Sequence, residues 1–404
     1  MKRLLVAVLT AAALSAAGLG ATASSSARTP DLQAALGRAL VADGIDPRRT
    51  AALAVDLRTG AVVFDKRARL ALRPASLQKL AVSFSALRLL GPKYRFRTEV
   101  VGVGKMDGSV WRGDLVLVGG GDPTLRVRDL RGLARRIRSR GVQRITGRVL
   151  GDERHFDSRR TAPGWKAGWA GIESRPLSAL SVAGVEHPDL NGAAQAAAAA
   201  FTAALERRGV SVARAPRAGR APEGALRLAK DVSEPLAAIV GRMNRESDNF
   251  SAELLLKELG ARMTGLGTSE AGAQVVLDEL RRSRIPVSGV RIADGSGLSV
   301  ENRLTPRALV AILRAGAEDP AIRNAFVASL AVAGISGTLR DRLGTRPTRG
   351  QVIGKTGTTN AACSLAGFVG RRYAFAILQN GSPVPYWTAR AAQDRFVTVL
   401  TRAK

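Results

Sequence analysis

Strand-like runs stand at both ends of this chain, and that placement constrains its fold more than any other feature. Ala51 to Leu57 and Ala61 to Phe64 flank the turn Arg58-Thr59-Gly60 and read as an antiparallel hairpin. Far downstream, Gln351 to Gly357, Ser364 to Val369 and Tyr373 to Gln379 read as three strands separated by short turns, followed by a closing helix over Ala389 to Arg402. These pieces predict an α+β fold with one sheet assembled from both ends of the chain and covered by helices.

The stretch between them changes texture twice. A short helical pattern over Asp31 to Val41 precedes the hairpin. Behind Pro74, Leu77, Leu80, Ala81, Phe84 and Leu87 recur at helical spacing up to the stop at Gly91-Pro92. Residues 92 to 230 then read as inserted, β-rich accessory material. They carry strand-like pieces at Asp114 to Val118 and Arg144 to Leu150, an alanine-rich helix over Ala193 to Ala204, and loop composition from Val212 to Glu223. Helical patterning resumes near Glu234. The expected organisation is therefore a domain made of 24–91 and 231–404, interrupted by 92–230.

Lys2 and Arg3 ahead of an apolar run and the small-residue site Ala21-Thr22-Ala23 read as a secretory signal over residues 1–23, so the mature chain is expected in the cell envelope or outside the cell. Export bears on the charge. The 404 residues hold 62 Lys+Arg against 33 Asp+Glu, a formal net charge of +29, which would suit nucleic acid. An exported protein has little access to nucleic acid, and aromatic residues make up only 4%, leaving few stacking platforms. Anionic wall polymers are the expected polyanion instead, and attachment to isolated wall should weaken as salt is added. Binding that ignored salt would contradict this. With Cys363 as the single cysteine and His155 and His187 as the only histidines, the sequence offers no disulfide framework and no Cys-cluster zinc site. Chemistry without a metal or a cofactor is expected.

Ser76 and Lys79 lie three apart at a helix start and share a face, so the lysine amine could serve as base for the serine hydroxyl, provided it is neutral. Burial and a second nearby cation would both favour the neutral amine. Ser247-Asp248-Asn249 sits between two helical patterns, where Ser and Asn commonly cap, but where a hydroxyl can also relay a proton and an amide can grip a peptide carbonyl. Lys355-Thr356-Gly357-Thr358 lies on a strand. It reads either as an exposed edge or as a cation with two hydroxyls and a glycine against which a carboxylate ligand can lie. Each motif is ordinary alone.

In this order, Ser-x-x-Lys, Ser-x-Asn and Lys-Thr-Gly resemble the penicillin-recognising serine hydrolases. With Gly121-Asp122-Pro123-Thr124-Leu125 and Asp294-Gly295-Ser296-Gly297-Leu298-Ser299 added, the chain resembles the D-alanyl-D-alanine carboxypeptidase/endopeptidases of the class C penicillin-binding proteins, peptidase family S13. Ser247 follows Ser76 by 171 positions, where class A β-lactamases have a gap of several tens of residues. The resemblance implies a DD-peptidase-like antiparallel sheet flanked by helices, and hydrolysis of D-Ala-D-Ala termini or D-amino-acid cross-links of peptidoglycan stem peptides. It also implies roles. Ser76 would be the nucleophile acylated by substrate or by β-lactams, Lys79 its base, Ser247 a proton relay flanked by Lys79 and Lys355, and Asn249 the holder of the acyl-side amide. Lys355, Thr356 and Thr358 would attract the terminal carboxylate beside Gly357, and the Ser76 and Thr358 N–H groups would form the oxyanion hole. Alternatives are a β-lactamase, although Glu173 lacks the context of a deacylating glutamate and reads as a solvated loop residue, or an inactive wall-binding protein. Cys363 and His187 are expected to stay outside the chemistry.

Overall fold

The two ends of the chain do build one sheet. A computed structural model describes residues 28–166, 168–187 and 189–403; the predicted signal segment lies outside the described residues. Strand β1 (Thr50–Asp56) pairs antiparallel with β2 (Val62–Lys66) and with β13 (Tyr373–Asn380). β12 (Ala362–Val369), β11 (Val352–Thr359) and the short β10 (Ala331–Val332) extend the sheet to the order β10-β11-β12-β13-β1-β2. Side chains alternate across the sheet, so consecutive apolar residues serve opposite faces. Ala374, Ala376 and Leu378 enter one core while Phe375 and Ile377 enter the other, which is why β13 reads as a continuous apolar run.

The first face is covered by α2 (Gln78–Leu89), α5 (Leu236–Glu246), α6 (Asn249–Thr264), α7 (Ser269–Arg282), α8 (Pro306–Glu318) and α9 (Arg323–Ala328). The opposite face is covered by α1 (Arg28–Ala39) and α10 (Tyr386–Arg402), with Leu36 and Phe396 in its core. α6 is buried without a break from Phe250 to Gly260. Even its Glu253, Lys257 and Glu258 are buried, so its charges must be paired, hydrogen-bonded or neutralised.

A second sheet contains β3 (Arg97–Asp107), β4 (Val110–Gly119), β5 (Arg144–Ile145), β6 (Val149–Asp152), β7 (Ser211–Val212), β8 (Arg217–Ala218) and β9 (Leu226–Val232). β3 pairs antiparallel with β4 and β9, whereas the pairings among β4 to β8 are parallel. Two helices, α3 (Val127–Ser139) and α4 (Ala193–Glu206), share a separate core with it. α3 departs from the β-rich expectation: Leu130, Leu133, Ala134 and Ile137 hold it down, but arginines fill most of its remaining positions and mask the period in the sequence. The predicted loop from Val212 to Glu223 also carries the short strand β8. Between β6 and α4, Phe156, Leu177 and Ala179 pack on Phe250 and Leu254 of α6, close to the Ser247-Asp248-Asn249 motif at the head of that helix.

Candidate active site

Ser76 sits in a single 3-10 turn, Ala75–Leu77, that runs directly into α2. Ala75 ahead of it has φ 48°, a left-handed value that a side chain disfavours and that functional sites often hold. Gly297 braces this turn from behind. It has φ 91°, and a Cβ added there would lie 1.9 Å from the Ala75 carbonyl oxygen, so no other residue fits.

Lys79 is fully buried. Its Nζ contacts Ser76 Oγ at 3.0 Å, Asn249 Oδ1 at 2.8 Å and the Ser296 carbonyl at 2.6 Å. Two of those three partners only accept. A neutral amine has two hydrogens, so it would give both to Asn249 and Ser296 and turn its lone pair toward the Ser76 hydroxyl. Burial pushes the Lys79 amine down to about 8, while the negative charges of Asp294, Asp248 and Glu253 oppose that fall.

Ser247 closes α5 with φ 61°, another left-handed residue with a side chain. The next helix is capped by Asp248, whose carboxylate accepts from the Phe250 N–H at 3.1 Å. Capping thus falls to the middle residue of the motif, which leaves the Ser247 and Asn249 side chains free to face the lysines. Lys355 Nζ donates to Ser247 Oγ at 2.9 Å and to the Thr356 carbonyl at 2.8 Å. The expectation that Ser247 bridges both lysines is met on one side only, because Lys79 bonds to Asn249 in its place. Asn249 Nδ2 also donates to the Glu173 carbonyl at 2.9 Å. The Glu173 side chain is exposed, as expected, yet its backbone reaches the site.

Lys355 is no edge residue. It is fully buried on β11, and burial together with the charge of Lys79 holds its amine well below the usual lysine range. Thr356 is buried and donates to Thr338 Oγ1 at 2.8 Å, while Thr358 is exposed. Gly357 lets β11 cross the Ser76 turn: a Cβ there would stand 2.3 Å from Ser364 Oγ and 3.0 Å from the Ser76 nitrogen. A cleft of about 460 Å³ opens beside Ser76, bounded by Ala75, Thr358 and Gly297 and walled by Arg73, Lys166 and Trp169. Cys363 is buried in β12 against Ile45, Val384 and Ala389, and burial pushes its thiol up, which suits packing rather than nucleophilic attack. His187 lies outside helices and strands, half-buried, and burial with the charges of Arg175 and Arg160 pushes its ring toward the neutral form.

Sequence reasoning missed the support behind Lys79. Asp294 accepts from Ser296 Oγ, the Gly297 and Ser299 N–H groups and Trp165 Nε1, at 2.8 to 2.9 Å. Glu253 accepts from the Gly295 and Ser296 N–H groups at 3.0 and 2.8 Å. Glu253 is four residues after Asn249, hence on the same helix face, and that spacing was the available signal.

Comparison with known proteins identifies the family and the fold. Residues 32–185 and 185–403 match the family described as D-Ala-D-Ala carboxypeptidase 3 (S13). The carboxypeptidase DacB of Mycolicibacterium smegmatis is 33% identical over 85% of this chain and 78% of its own length. The D-alanyl-D-alanine carboxypeptidase of Actinomadura sp. is 28% identical over 93% of this chain and 85% of its own. Among solved structures, penicillin binding protein 4 (dacB) of Haemophilus influenzae superposes with a TM-score of 0.79 at 22% identity, covering 93% of this chain and 99% of that one. The same protein has also been solved complexed with a β-lactam.

Proposed function

Because the chain belongs to the D-Ala-D-Ala carboxypeptidase 3 (S13) family, we propose that it is an exported serine DD-peptidase acting on peptidoglycan stem peptides through an acyl-enzyme on Ser76. The observation that carries this reading is the buried Lys79 amine, whose two hydrogens have acceptors waiting and whose remaining face meets Ser76 Oγ at 3.0 Å. Ser76 Oγ bonds to the carbonyl carbon before the last D-alanine, and its proton passes to Lys79 Nζ. The Ser76 and Thr358 N–H groups stabilise the oxygen that becomes negative. Collapse breaks the C–N bond; Ser247, held by Lys355, hands its proton to the departing nitrogen and takes in its place the proton that Lys79 received from Ser76. Water then adds hydroxide to the acyl carbon while its other proton returns to the site, Ser76 is restored, and the shortened peptide leaves.

Lys355 and Thr358 receive the terminal carboxylate, and Thr356 joins them by turning toward it the hydroxyl that donates to Thr338 in the empty site. In the empty site Lys355 is pushed toward neutrality, and an arriving carboxylate favours its charged form, so substrate completes its own anchor. Asn249 keeps one amide hydrogen for the acyl-side peptide. Cleavage of a D-amino-acid cross-link uses the same steps with a longer leaving group. The second sheet, confined to Arg97–Val232, supports a division into an accessory domain at 92–230 and a catalytic domain formed by 24–91 and 231–404.

Labelling with a fluorescent penicillin tests the reading. One label per wild-type chain is expected, none on Ser76→Ala, with D-alanine released from a D-Ala-D-Ala peptide by the wild type alone. Equal labelling of Ser76→Ala would overturn the acyl-enzyme, and rapid multiple turnover of a chromogenic cephalosporin would make the protein a β-lactamase.

A further inference from the structure

Glu253 is buried completely, the proposed mechanism gives it no step, and among the described residues its Oε2 has no hydrogen-bond partner. A carboxyl kept in that condition is costly unless its position does something for the molecule. Its other oxygen, Oε1, binds two consecutive peptide N–H groups, those of Gly295 and Ser296, at 3.0 and 2.8 Å. The carbonyl of that same Ser296 takes a Lys79 hydrogen at 2.6 Å. One residue on, Gly297 is pressed against the Ala75–Ser76 peptide. A single carboxyl oxygen on α6 therefore fixes the loop segment that touches both the base and the nucleophile's turn.

We propose that Glu253 is a positioning residue for the base: it sets the Ser296 carbonyl so that the Lys79 lone pair faces Ser76, and its buried charge governs how readily Lys79 parts with a proton. The proposal rests on Lys79 being the base for Ser76. The other charges facing Lys79 are Asp294 from the 294–299 loop, Asp248 at the head of α6 and Lys355 from β11. Asp294 cannot replace Glu253 at the Gly295 and Ser296 N–H groups, since its oxygens are taken by Ser296 Oγ, Gly297, Ser299, Asn302 and Trp165. Burial pushes the Glu253 carboxyl up to about 8, the same range to which burial pulls Lys79 down, so the two groups exchange influence near neutral pH. An ionised Glu253 favours ammonium, and a protonated one favours the free amine that acylation needs.

The test is the pH dependence of the second-order acylation rate with a penicillin, compared among wild type, Glu253→Gln and Glu253→Asp. The glutamine keeps a carbonyl oxygen for the two N–H groups and removes the charge, so the acid limb should move to lower pH by about one unit. The aspartate keeps the charge on a shorter arm. Its limb should stay near that of the wild type while the plateau drops about tenfold through poorer placement. A Glu253→Gln limb superimposed on wild type, or a Glu253→Asp limb displaced by as much as the glutamine's, overturns the proposal. If the glutamine variant fails to fold, the aspartate decides by limb and plateau together: a limb moved by about one unit, or a plateau equal to that of the wild type, overturns the proposal. Absence of acylation in the wild type would instead remove the acyl-enzyme reading, and the two failures are told apart by that control.

Discussion

The two ends of α6 bury the same kinds of charge and treat them in opposite ways. At its C-terminal end the charges are joined in direct pairs. Lys257 Nζ contacts Asp157 Oδ1 at 2.6 Å, while Glu258 receives Arg262 Nε at 2.8 Å, the Tyr94 hydroxyl, and His155 Nε2 at 2.6 Å from its other oxygen. At its N-terminal end no such pair forms among the described residues. Glu253 touches peptide N–H groups, and Lys79 touches a hydroxyl, an amide oxygen and a carbonyl. Paired charge in a protein interior holds elements together, as these contacts hold the 153–158 segment to α6. Buried charge held one residue away from its counter-charge is pushed toward neutrality, and a neutral lysine is what a serine nucleophile requires.

Removing the amine at the N-terminal end should have the larger effect. Lys79→Met replaces it with an apolar chain of similar length, so the fold loses no ion pair and should melt at or above the wild-type temperature. Acylation by penicillin should fall about 10²–10⁴-fold, the range that a general base supplies. In the wild type the rate should rise with pH through about 8, because the acid form of Lys79 is the inactive one. Stopped-flow measurement of label incorporation checks both. A variant acylating within tenfold of wild type would break the comparison, since Lys79 would then be no more than another buried charge.

The contrast also marks how far the sequence could be read. The strands at both ends were legible from period-two and continuous apolar patterning, and the three short motifs kept residue types and order that few other chemistries need. The support was not legible. Glu253 in Ser251-Ala252-Glu253-Leu254 looks like any helix glutamate until its burial is known, and burial comes from residues far off in the chain, among them the 294–299 loop. Asp294 looks like a turn residue for the same reason, and Trp165 reaches it across 129 positions. Ser247 looked like a cap because Ser and Asn both cap helices, and only backbone geometry, with φ 61° at Ser247 and Asp248 taking the cap, separates the roles. α3 went unseen because arginine on its solvent side hides an apolar stripe of four residues.

The C-terminal end of α6 gives the smaller and opposite test. Asp157→Asn leaves the Lys257 ammonium, with a side chain only 1% exposed, without a counter-charge. Losing one partner of a fully buried pair costs about 3–5 kcal/mol, and Asp157 keeps 22% of its side chain in water, so about 2–3 kcal/mol is expected here. Denaturant unfolding should show that loss as a lower midpoint with an unchanged slope. Penicillin acylation of the folded fraction should stay within about twofold of wild type, because Lys257 lies about two helical turns beyond Asn249 and bonds to neither lysine of the site. Stability lost with chemistry kept, set against chemistry lost with stability kept in Lys79→Met, is the outcome that separates the two ends. An Asp157→Asn protein whose acylation fell as steeply as its stability would show instead that α6 transmits strain from one end to the other, and that its paired charges take part in placing Asn249.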